Sequence, residues 1–94
     1  MNQSTFEEAI LRGASFIRAT CLKAVFSGAD LPKGCLREAN LAGANFRGAD
    51  LEGGSFVSAD LTLADLRQAK LQGSEMLDAK LDRAKLEEVV AEER

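Results

Sequence analysis

The chain has 94 residues, a formal net charge of −3 from 12 basic and 15 acidic side chains, and no His, Trp or Tyr. That length holds one small domain, residues 1–94, and no second one, and so mild and mixed a charge indicates neither a nucleic-acid surface nor an acidic tail. Its apolar runs fall far short of the roughly 20 residues that cross a bilayer, MNQSTFEEAI has no signal-peptide core, and Cys21 and Cys35 make neither a disulfide framework nor a metal site. A reducing, cytoplasmic setting is therefore expected.

From Ser4 onward the chain is one tandem repeat. Every fifth residue is apolar, from Phe6, Leu11, Phe16 and Cys21 through to Met76, Leu81 and Leu86, seventeen positions without an insertion. All five Phe and ten of the thirteen Leu fall in this set, and thirteen of the fifteen Ala stand two places earlier. On an α-helix, steps of five residues advance by about 140° net, so the large side chains would spiral around every face. On a flat strand the odd step would throw them to alternating faces. The pattern fits a short extended segment, with the small and the large residue both pointing inward, followed by a corner over the next two positions. Gly13, Gly28, Gly43, Gly48, Gly53 and Gly73 all fall on the second corner position, where a turn that needs positive φ places glycine.

The segments ADLPK (29–33), ANLAG (39–43), ANFRG (44–48) and ADLEG (49–53) resemble the pentapeptide-repeat family, whose motif is A(D/N)LXX, and the resemblance runs over residues 4–88. It implies an all-β solenoid, a right-handed quadrilateral β-helix with four pentapeptides per coil and about four coils in all. In chain order, Glu7 and Glu8 place charge at the first edge, where open backbone groups invite pairing, and Pro32 stiffens a turn. Toward the C-terminus the position before the large residue changes from Asp or Asn to Lys at Lys70, Lys80 and Lys85. With twenty residues per coil these lie above Asp50, Asp60 and Asp65, which predicts three stacked ion pairs. After Leu86 the motif stops. AKLEEVVAEER groups Leu86, Val89 and Val90 on one side of a helix, and a helical cap over 84–94 is expected to close the stack.

The residues that carry chemistry are few. Without His, the usual Ser/His and Cys/His arrangements are absent, and the repeat motif already explains Asp30 and Asp50 as stacked carboxylates. No catalytic, cofactor-binding or metal-binding residue is expected, and no cofactor. Cys21, at an inward position, reads as a small core residue. Sorting the outward positions by side puts Ile17, Arg37, Val57 and Leu77 on the third side, Leu22 on the fourth, and Leu63 at a corner elsewhere given to Gly or polar residues, so that apolar residues cluster on one edge. Such a patch marks an interface. The expected function is a non-catalytic scaffold or protein-binding module with an unidentified protein partner, alone or as a homodimer, without membrane or nucleic acid. The alternative, which the family resemblance implies, is a DNA mimic that binds a type II topoisomerase such as DNA gyrase, in the manner of quinolone-resistance proteins.

Overall fold

Each repeat carries one amide per residue, and each amide must find an acceptor or meet water. The computed structural model describes residues 5–87 and Val89, and among them four of the five amides in a repeat follow one pattern. The Phe6 N–H donates to Val25 O at 2.6 Å and the Glu8 N–H to Ser27 O at 3.0 Å, both in the next coil. The Asp30 N–H reaches back to Ala9 O at 2.8 Å, and the Ala9 N–H closes a turn on Phe6 O at 3.0 Å. The fifth amide, just after the large inward residue, has no backbone acceptor in any described repeat. Side chains serve it instead: Oδ1 of Asn40, Asn45, Asp50, Asp60 and Asp65 accepts from the N–H two residues on. This turn-capping bond is the physical reason for Asp or Asn at that place in the motif. Pro32, the one proline, occupies the same fifth-amide position, so its missing N–H costs no backbone bond.

The second corner position has positive φ at all sixteen described occurrences from Glu8 to Arg83, six of them Gly and ten not. The residue before it does not, and this combination is the type II turn. Between turns, thirteen parallel bridges join residues twenty apart, from Thr5 with Val25 to Asp65 with Lys85. A circuit of twenty residues therefore holds four repeats, one to a side. Each bridge is a single residue, and no longer strand forms among the described residues. Two extended residues are all that the repeat leaves between corners.

The small and large inward residues make one core, in which Ala24, Phe26, Leu41, Phe46, Leu51, Phe56 and Leu61 are among those wholly buried. Phenylalanine stands only on the first side (repeats centred on Phe6, Phe26, Phe46, Leu66 and Leu86) and the third (Phe16, Leu36, Phe56 and Met76). The second side is centred on Leu11, Leu31, Leu51 and Leu71, and the fourth on Cys21, Leu41, Leu61 and Leu81. On the first side the rings of Phe6, Phe26 and Phe46 stack at 5.0 and 4.8 Å, the rise of one coil. Across the core they meet third-side rings edge-on, Phe16 at 5.7 Å from Phe26 and Phe56 at 6.1 Å from Phe46, the other arrangement that aromatic quadrupoles favour. On the third side Gly34 and Gly54 replace the usual Ala. A Cβ at Gly34 would sit 2.6 Å from Leu31 Cδ2, and one at Gly54 would sit 3.3 Å from the Gly34 carbonyl.

The end coils are thinner. Phe6, Leu11, Leu71, Met76 and Leu81 are only partly buried. Of the helical cap expected over 84–94, the described residues 84–87 and 89 run on as a further repeat. Lys85 bridges Asp65, Glu87 O accepts from the Gln68 N–H at 3.1 Å, and the Val89 N–H closes on Leu86 O at 3.3 Å. Residues 88 and 90–94 of that cap lie outside the described residues, as does Ser4 at the start of the expected repeat span. No described helix is long and apolar enough to cross a membrane.

Candidate functional site

An outward side chain on this scaffold is placed by its column, because residues twenty apart are bridged. On the third side one column reads Ser15, Cys35, Ser55, Glu75. The neighbouring one reads Ile17, Arg37, Val57, Leu77, tied by bonds from the Arg18 N–H to Arg37 O, Glu38 N–H to Val57 O and Ser58 N–H to Leu77 O at 2.8–2.9 Å. The corner column is Arg18, Glu38, Ser58, Asp78. Ile17 is 50% exposed and Leu77 69%, while Val57 is half-buried in the same column.

The other two expected interface residues stand apart from this column. Leu22 is half-buried on the fourth side. Leu63 is exposed at that side's far corner, so the polar column Thr20, Asn40, Asp60, Lys80 and the mixed column of Leu22 separate it from Ile17, Val57 and Leu77. The most exposed large apolar residue among those described, Ile10 at 76%, belongs to none of these. It stands on the second side in the column Ile10, Asp30, Asp50, Lys70. Its signal lay in the capping position, where an apolar residue replaces Asp or Asn.

The stacked Asp and Lys columns are in the predicted register, since Asp50 bridges Lys70, Asp60 bridges Lys80 and Asp65 bridges Lys85. Their side chains do not close into ion pairs within 4 Å. The carboxylates turn to nearer donors. Asp60 Oδ1 takes the Thr62 hydroxyl at 2.6 Å and its N–H at 3.0 Å, and Asp65 takes the Arg67 guanidinium at 2.8 and 2.9 Å. These bonds hold both carboxyls below the usual carboxylate range, with Lys80 and Lys85 adding only a lesser attraction. Among the described residues the other ion pairs are Arg12 with Asp30 at 2.9 Å and Arg18 with Glu38 at 2.7 Å. Arg18 likewise holds Glu38 low, first through its hydrogen bond and then through its charge.

Cys21 is wholly buried, and burial pushes its thiol up, away from the reactive thiolate. Cys35 is half-buried, and both cysteines are free thiols. No pocket opens, and no three His, Cys, Asp or Glu side chains converge, among the described residues. The arrangement offers flat, charge-mixed sides, with the third carrying exposed Ile17 and Leu77 in a column that also holds Arg37 and Val57.

Comparison with known proteins agrees with this geometry. The family model for pentapeptide repeats matches residues 1–31, 33–68 and 59–89, with eight copies. No curated protein matches the chain. Among solved structures, a pentapeptide repeat protein from Nostoc PCC 7120 is 34% identical, with a TM-score of 0.69 over 98% of this chain and 78% of that one. One from the thylakoid lumen of Arabidopsis thaliana is 28% identical, with a TM-score of 0.61 over 79% of this chain, which spans 59% of its length. A third, from the cyanobacterium Cyanothece 51142, is 20% identical with a TM-score of 0.60, covers 97% of this chain and 90% of its own, and speaks for the fold alone.

Proposed function

The chain belongs to the pentapeptide-repeat family, whose members form right-handed β-helices, and from that premise we propose that it is a non-catalytic scaffold or regulatory module that binds protein through its third side. The solenoid is taken as about four coils and its setting as cytoplasmic. One observation carries the reading: Ile17 and Leu77, 50% and 69% exposed, share a column with Val57 on a flat side. Exposed apolar side chains on a rigid face, here with Arg37 between them, are the surface that a protein partner desolvates at little ordering cost.

Affinity capture with the wild type and with an Ile17/Val57/Leu77→Ser variant tests this. The variant is expected to lose bound protein that an Ile10→Ser variant retains. Identical capture by all three would remove the third side as the docking surface. The alternative, mimicry of DNA toward a type II topoisomerase such as DNA gyrase, asks for sides of one negative sign. Here Arg12, Arg37, Arg47 and Arg67 interrupt the acids, and a supercoiling assay with and without a fluoroquinolone is expected to show no effect.

A further inference from the structure

A second copy laid against one side and turned upside down sets the lowest residue of each column against the highest. In such a twofold contact the same patch faces itself, so residue and partner exchange roles. The geometry points to an antiparallel homodimer through the third side, with Ile17 of each copy against Leu77 of the other and Arg18 against Asp78. This names the partner of the docking surface proposed above and rests on that reading.

The columns carry the inference. On the third side, reversal sets apolar Ile17 against Leu77 and cationic Arg18 against anionic Asp78, twice over by symmetry. The other rows bring Arg37 to Val57, Cys35 to Ser55, Glu38 to Ser58 and Ser15 to Glu75, so no like charges face each other, and the Arg37 stem can lie along Val57 with its charge at the rim. The Arg18 side chain is 77% exposed beyond its bond to Glu38. Asp78 is exposed and has no ion pair among the described residues.

The other three sides fail the same operation. On the first, Glu7 meets Glu87 and Arg47 meets its own copy. On the second, Asp30 meets Asp50 and Ile10 meets Lys70. On the fourth, Lys23 meets Arg83 and Leu22 meets Asp82. Like charges placed directly opposite repel. Only on the third side does this end-to-end register set no like charges opposite one another and join two apolar side chains.

A face four rows high at about 4.8 Å per row is small. It belongs with the weak, concentration-dependent contacts below about 1,200 Å² in total. Sedimentation equilibrium of the full chain from about 10 μM to about 1 mM spans the affinities such a contact has. The wild type is expected to rise from monomer toward dimer. Asp78→Arg and Arg18→Asp should each weaken association roughly tenfold, and the double variant should restore it, because each swapped pair is again opposite in sign.

A monomer throughout the range, or a double variant no tighter than its parents, would overturn the dimer. Circular dichroism checks that each variant folds. Should Arg18→Asp fail for loss of its bond to Glu38, Leu77→Ser replaces it, and association left intact by Leu77→Ser and Asp78→Arg together would equally overturn the proposal. A monomeric wild type leaves the capture experiment to judge the docking surface by itself.

Discussion

The Asp and Asn residues before each large inward position serve their own turn first. Asp60 spends Oδ1 on the Thr62 hydroxyl and amide, so Lys80, one coil away, is left as a distant attraction. The stacking of Asp under Lys was legible from the repeat length, because it needs only the count of residues per circuit. The missing ion pairs were not, because side-chain choice among several donors is settled within a few ångströms. Asp60→Ala is expected to cost about 1 kcal/mol and Asp60→Asn, which keeps an acceptor, less than half of that, read from urea midpoints at constant slope. Asp60, Asp65 and Glu38 all have carboxyls lowered in the fold. Their contribution is therefore present above the unfolded values of about 4 and is lost as pH falls through the lower folded ones. Stability should be level above about pH 5 and fall below about pH 4, with a shallower fall in Asp60→Asn. The glycines separate two further effects. Gly48→Ala meets nothing within 4 Å but has φ +70°, so it should cost the backbone term alone, about 1 kcal/mol. Gly34→Ala has no such φ and strikes buried Leu31, and about 1–3 kcal/mol is expected; equal stability of Gly34→Ala and wild type would contradict the packing described.

At the scale of the repeat, the inward columns decide where stability resides. Phe46 is wholly buried, stacks on Phe26 at 4.8 Å and meets Phe56 edge-on, whereas Phe6 lies in the half-covered first coil. Phe46→Ala is expected to cost about 3–5 kcal/mol and Phe6→Ala clearly less; thermal unfolding of the two variants compares them directly, and the reverse order would contradict the placement of the core. The columns were legible because apolar periodicity is a many-fold repeated signal. Residues 84–87 were read as helix because Ala, Lys, Leu and Glu are good helix formers. The open edge of the coil below outweighed that preference, since Lys85 and Glu87 join the Asp65 and Gln68 backbone.

For the whole molecule, the regularity that builds four flat sides also leaves them unlike one another. The exposed column of Ile17, Val57 and Leu77 was legible once the sequence was sorted by side. That Leu63 stands a full side away, and that Arg18 and Asp78 occupy opposite ends of one corner, emerged only when positions were followed through bridged rows. Side-chain exposure follows from neighbours in three dimensions, which a repeat count does not weigh. The most direct test of self-association through the third side is amide chemical shifts recorded by NMR over a dilution series. Concentration-dependent shifts confined to residues 14–18, 34–38, 54–58 and 74–78 are the predicted result. Shifts on the first, second or fourth side, or none anywhere, would contradict it.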